Sequence, residues 1–166
     1  MLFSIEGISS VGKTTLQKEL LKLDNSIIIY DGLSMLATGP DDWDKSVSLE
    51  HFILDRLNRL NLDKIIVADR LFSGGVYELQ PEKWIRFFSF HYHPRIIYLE
   101  ASEDILKERF TKDVNVLKTK EKYDKMLEKF KHIRIDTSDK TPEVVAAEVY
   151  AYIKAEMQNA KVKQDG

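Results

Sequence analysis

The segment with the strongest hold on the fold is "GISSVGKTT", residues 7–15, which follows the apolar stretch Leu2 to Ile5 with only Glu6 between. Gly7, Gly12, Lys13 and Thr14 stand at the spacing G-x-x-x-x-G-K-T. A glycine-rich turn between a strand and a helix lets successive backbone N–H groups converge on an anion, and the helix start adds a partial positive charge. The chain is therefore expected to open as strand, phosphate cradle and helix, with Ser9, Ser10 and Val11 in the wall of the cradle. Lys13 is placed to reach the outer phosphates of a nucleotide, the Thr14 hydroxyl to ligate magnesium, and Thr15 to contact the inner phosphates. Such a cradle, a P-loop, implies ATP and Mg2+ as its ligands.

The rest of the chain agrees with that opening. Residues 3–6, 26–30, 64–69, 95–100 and 132–136 form short runs rich in Ile and Val, as strands covered on both faces should. Between them lie helical candidates at 13–23, 46–60, 81–90, 102–110, about 119–130 and 142–157. In the last, Val144, Val145, Val149 and Ile153 recur at helical spacing. Pro81 and Pro142 stand where a first helical turn tolerates proline. Strands alternating with helices predict an α/β fold. It should be a five-stranded parallel sheet with helices on both faces, a three-layer sandwich of the P-loop NTPase type, active at the carboxyl ends of its strands. A length of 166 residues suits one domain, taken as 1–158, with 159–166 as a frayed tail.

Composition removes whole classes of function. No cysteine is present, which excludes disulfides, thiolate metal sites and cysteine nucleophiles. The 25 Lys and Arg against 27 Asp and Glu give a formal charge of -2. No basic field therefore argues for a nucleic-acid or membrane partner, and the expected partner is a small-molecule nucleotide or nucleoside acceptor. No apolar run has the length of a membrane span, and the reading is of a cytoplasmic chain. A homodimer is compatible with it. His91 and His93 in "FHYHP" lack a carboxylate at ligand spacing and are read as structural or surface residues, while Trp84, Phe87 and Phe88 are read as core.

A magnesium nucleotide needs a second anchor, best supplied by a carboxylate at the end of a neighbouring buried strand. "KIIVADR" supplies Asp69 there, with Arg70 beside it for phosphate oxygens. With these residues in view, the chain resembles the thymidylate kinases of the nucleoside monophosphate kinase group over nearly its whole length. "FSIEGISSVGKTT" looks like that family's first strand and P-loop, and "ADRLFSGGVYE" like its Asp-Arg segment. "SVSLEHFILDR" looks like the helix whose aromatic residue stacks on the base and whose arginine recognises it. The resemblance implies that Phe52 and Arg56 select a pyrimidine base and that Arg70, Ser73 and Tyr77 touch the acceptor. Periodicity alone instead puts Phe52 in the core beside Ile53, Leu57 and Leu60, with Arg56 in solvent. "RIIYLEASEDILKERFTKD" resembles the strand and helix leading into a lid, placed around 109–120, whose cations Arg109 and Lys112 would neutralise the transferring phosphoryl group. The loop 136–138 would flank the adenine.

Departures from the family pattern leave a second acceptor open. Ser73 stands one residue closer to Asp69 than is usual, and "YDGLSMLATGP" replaces the arginine-bearing loop that grips an acceptor phosphate. Asp31 follows the second strand and could serve as general base for a nucleoside hydroxyl, as in related deoxynucleoside kinases, or as a turn residue before Gly32. The expected activity is phosphorylation of a nucleoside monophosphate such as dTMP. The alternatives are a deoxynucleoside kinase using Asp31, or a P-loop kinase acting on a modified-base hydroxyl or a nucleic-acid end.

Overall fold

The computed structural model describes residues 1–30, 49–60, 63–73, 80–109 and 115–164. Five strands, β1 (Leu2–Glu6), β2 (Ile28–Tyr30), β3 (Ile66–Asp69), β4 (Arg95–Glu100) and β5 (His132–Asp136), form one sheet in the order β2-β3-β1-β4-β5. Every neighbouring pair is parallel. The helices are α1 (Lys13–Leu23), α2 (Leu49–Asn58), α3 (Pro81–Tyr92), α4 (Glu103–Arg109), α5 (Asn115–Leu127) and α6 (Pro142–Gln164).

Burial follows strand position. All residues of β1 and β3 are buried, as are the four inner residues of β4, whereas β2 and β5 at the edges are only partly covered. The apolar runs of the inner strands are thus what a sheet covered on two faces requires. Side chains alternate along β1, so Phe3 and Ile5 face one layer, and Ser4 and Glu6 the other. On the first face Phe3 meets Tyr152 of α6 edge to face at 6.3 Å, and α6 packs along α1. Phe72, just after β3, meets Tyr123 of α5 in the same geometry at 6.1 Å. Trp84 and Phe88 of α3 are buried core residues, as their spacing predicts.

Element ends differ from the sequence reading for identifiable reasons. β2 starts at Ile28 rather than 26, because the Asp24 carboxylate accepts the Ser26 N–H at 2.9 Å and its hydroxyl at 2.6 Å, holding a turn there. The tail predicted to fray from 159 is helical as far as Gln164, where α6 ends. No helix among the described residues is long and apolar enough to cross a membrane.

β1 pairs with both β3 and β4, placing Ile5 opposite Asp69 on one side and Ile97 on the other. The loop that leaves β1 therefore emerges between the carboxyl ends of two strands, where connections depart to opposite sides and α/β sheets form clefts. Because Ile97 is fully buried in this central region, Ile97→Ala is expected to lower unfolding free energy by about 2–5 kcal/mol in urea denaturation. A loss under about 1 kcal/mol would mean that the sheet centre repacks freely.

Candidate functional site

The loop from Gly7 to Gly12 turns tightly onto α1, and two glycines make the turn possible. Gly7 has φ 140°, and a Cβ there would lie 2.6 Å from the Leu99 carbonyl oxygen and 2.9 Å from Val11 Cγ1. Gly12 has φ 105°, with open space around it, so its requirement is conformational rather than steric. Gly12 caps α1, no side chain supplies a cap hydrogen bond, and the first turn has no acidic residue. The leading amides of the helix are thus left for an anion.

Lys13 is buried at the base of this turn, where its Nζ donates to the carbonyls of Gly7 and Ile8, both at 2.6 Å. The ammonium is held inside the arch of its own loop. Ser9, Ser10, Thr14 and Thr15 are exposed above it. Ser9, Ser10, Lys13, Thr14, Thr15 and Arg70 line one cavity of about 260 Å³. Of the predicted cradle residues, Ser9, Ser10, Gly12, Lys13, Thr14 and Thr15 line this space together with Arg70, whereas Val11, expected in its wall, is fully buried and does not.

Asp69 closes β3 beside this space and is 5% exposed. Arg70 lies alongside, its Nε 3.4 Å from Asp69 Oδ1 and its terminal nitrogen 3.5 Å from Oδ2. These approaches are long for an ion pair. Asp69 Oδ1 and Arg70 Nε have no hydrogen-bond partner among the described residues although both are buried. A buried carboxylate oxygen and a guanidinium N–H left in this condition are suited to receive a ligand. Arg70 also has φ 66°, a left-handed backbone that a non-glycine residue adopts only when its surroundings enforce it.

A second cavity, about 240 Å³, continues from the same loop through Ser10, Gly12 and Thr15 toward Leu99, Arg109, Thr137 and Pro142. Thr137 is fixed here: its N–H donates to the Glu100 carbonyl at 2.8 Å and its hydroxyl to the same carbonyl at 3.0 Å. Of the loop 136–138, Thr137 lines this space. Arg109 departs from its expected place. Its guanidinium donates to the Thr137 hydroxyl at 3.5 Å and carbonyl at 3.4 Å, which puts it in the cavity lined by Leu99 and Thr137 rather than in the one lined by Lys13 and Arg70.

Ser73 requires a correction too. Expected to touch the acceptor, it is 1% exposed and turned inward, where its hydroxyl donates to Glu6 Oε2 at 2.5 Å and accepts the Gly7 N–H at 3.3 Å. With both roles of the hydroxyl used inside the protein, it is not available to a substrate. Glu6 itself was missed in the sequence, although a carboxylate ending an otherwise apolar strand was a visible signal. Leu99, Lys140 and Val145 in the second cavity were missed as well, since they come from distant segments.

Asp31, Tyr77 and Lys112 lie outside the described residues. Positions 52 and 56 fall within α2, and their side chains lie outside the description. His93 ends α3 with φ 46°, and the His91 ring packs 4.9 Å from that of Phe87. No cluster of three or more His, Cys, Asp or Glu suited to a metal occurs among the described residues.

No protein-family model and no curated protein matches the sequence. Solved structures do match. The YorR protein from Bacillus subtilis, solved in complex with phosphorylated GDP, is 18% identical with a TM-score of 0.66, over 95% of this chain and 98% of that one. The fold is that of P-loop kinases. Thymidylate kinase from Candida albicans is 16% identical at a TM-score of 0.61, covering 93% and 91% of the two chains. Shikimate kinase from Aquifex aeolicus is 17% identical at 0.60, covering 94% and 98%. The P-loop kinase fold is thus shared with proteins whose names carry quite different acceptors.

Two measurements test this geometry. Gly7→Ala combines a left-handed backbone with a clash against Leu99 and is expected to cost roughly 2–4 kcal/mol in denaturant unfolding. The Glu6 carboxyl is pushed above its ordinary value of 4.5 by burial, an effect that hydrogen bonds from Ser4, Ser73 and Leu71 offset in part. A raised folded-state pKa contributes stability that is present below the unfolded value and is lost as pH rises through the folded one. Wild-type stability relative to Glu6→Gln should therefore fall as pH rises from 4.5, measured by urea denaturation across pH. A difference that does not change with pH would contradict the burial of that carboxyl.

Proposed function

We propose that the protein is a phosphotransferase that moves the terminal phosphoryl group of ATP to a nucleotide-like acceptor, most specifically a pyrimidine deoxynucleoside monophosphate such as dTMP. The observation that carries the reading is the pair of cavities joined along residues 10–15. One is rich in phosphate-binding groups and the other is walled by Leu99, Thr137 and Pro142. A nucleoside triphosphate fits this division, with its phosphates over Lys13 and its base toward Thr137. The YorR complex with phosphorylated GDP and the thymidylate kinase support a nucleotide ligand, whereas the shikimate kinase marks how far acceptors vary on this fold.

In the transfer, an acceptor phosphate oxygen forms a bond to the γ-phosphorus as the bond to the ADP oxygen breaks. Charge spreads over the equatorial oxygens of the moving group, so fixed cations matter more than proton transfer. Lys13 and the first amides of α1 would meet that charge from the donor side, and Arg70 from the side of β3. Asp69, with its unpartnered buried oxygen, and the exposed Thr14 hydroxyl suit a hard divalent cation. Magnesium held there would screen the triphosphate.

A second reading keeps the donor and changes the acceptor to a deoxynucleoside. It is favoured by Asp31 directly after β2, with no arginine in the "YDGLSMLATGP" segment to hold an acceptor phosphate. A hydroxyl acceptor must lose a proton, which Asp31 would take, whereas a phosphate oxygen is already ionised.

ADP release from magnesium ATP should depend on an added acceptor, with dTMP effective and thymidine not. The reverse preference would select the second reading, and release independent of every nucleoside and monophosphate would defeat both. Lys13→Ala should lower turnover by a factor of about 100 or more, equivalent to roughly 3 kcal/mol of barrier, with an unchanged circular dichroism spectrum.

A further inference from the structure

Glu6 is the last residue of β1 and has no solvent exposure. Burying a carboxylate is far costlier than burying an apolar side chain in the same volume, so its contacts must answer for it. Oε1 accepts the Leu71 N–H at 2.6 Å and the Ser4 hydroxyl, while Oε2 accepts the Ser73 N–H at 3.0 Å and the Ser73 hydroxyl at 2.5 Å. The Ser73 hydroxyl also receives the Gly7 N–H, at the head of the phosphate loop. On the other side of Arg70, its own N–H donates to the Ile5 carbonyl at 3.2 Å. Both peptide links of Arg70 are therefore tied to the end of β1, which accounts for its enforced left-handed φ.

We propose that Glu6 is a positioning residue for phosphoryl transfer: its carboxylate locks the turn 70–73 to the head of the phosphate loop and so sets where the Arg70 guanidinium stands relative to Lys13. The inference rests on the phosphotransferase reading above. An apolar residue at position 6 would fill the space but leave the Leu71 and Ser73 amides without an acceptor. Glutamine fills it with one acceptor and one donor, so whichever way the amide turns, one backbone N–H meets another donor.

The test is a double-mutant cycle between Glu6 and Arg70, assayed with magnesium ATP and the acceptor at a temperature where all variants are folded. Glu6→Gln should lower kcat about tenfold or more while leaving KM for ATP within about twofold, since α1 and Lys13 are untouched. In the Arg70→Ala background the same change should alter kcat by less than about twofold, because there is no guanidinium left to misplace. An equal loss in both backgrounds, or a loss expressed as a rise in KM for ATP, would overturn the proposal. If Glu6→Gln does not fold, Ser73→Ala takes its place in the same cycle, with the same outcomes deciding.

If wild type phosphorylates no acceptor, the functional reading fails on its own, and amide hydrogen exchange then judges Glu6. Glu6→Gln or Ser73→Ala should speed exchange at Leu71 and Ser73 by about tenfold or more and leave Leu16 and Leu20 of α1 unchanged. Unchanged exchange at Leu71 and Ser73 would remove the clamp.

Discussion

A carboxylate sealed inside a protein must be met by donors, and Glu6 is met by Ser4 from its own strand and by Leu71 and Ser73 from the turn after β3. That requirement ties together segments more than sixty positions apart. β1 could end in any apolar residue and still pair with β3 and β4, but of these contacts the turn carrying Arg70 would then keep the Ile5 carbonyl and the Gly7 N–H alone. The phosphate loop and the turn beside it are linked because the Ser73 hydroxyl donates to Glu6 and accepts the Gly7 N–H.

Around that unit the site divides by chemistry. Toward β3 stand Asp69 and Arg70, whose mutual contact is too long to satisfy either fully. Toward β5 stands Thr137, whose N–H and hydroxyl pair with the Glu100 carbonyl, with the Arg109 guanidinium 3.4–3.5 Å from it. Unsatisfied buried groups favour a charged, hydrogen-bonding ligand on the first side. On the second, Leu99, Pro142 and Val145 add an apolar wall beside Arg109 and Lys140. The same distinction explains why Ser73, although close to Asp69 in sequence, has no part in binding: its hydroxyl is already used between Glu6 and Gly7.

Most of the fold was legible in the sequence, because its signals are local. The run LFSIE followed by GISSVGKTT states a strand, a loop and a helix within 23 residues, and the remaining strands announce themselves by Ile and Val. Pro81 and Pro142 marked two helix starts to the residue. The site was legible where it is contiguous, and at Asp69 and Arg70, which close a buried strand. Lys13, Thr14 and Thr15 follow one another in the chain, but the second cavity gathers Leu99 from β4, Lys140 from the loop before α6 and Val145 from α6, and no spacing rule connects them. Arg109 was assigned from the resemblance of its segment to the helix leading into a lid, and that resemblance does not say which end of a cleft the side chain meets. Ser73 was misjudged because its hydroxyl is committed by Glu6, a partner 67 positions earlier.

The sheet order also governs how the molecule can be made. β1 precedes both of its neighbours in the chain, which run from Ile66 and from Arg95. On a ribosome, Leu2–Glu6 must wait with one edge open until β3 has emerged and with the other open until β4 has, and parallel pairing over such separations is slow. The segment that later anchors the whole interior is therefore the one longest exposed to wrong partners in a nascent chain, and crowding or delayed translation would be felt there first.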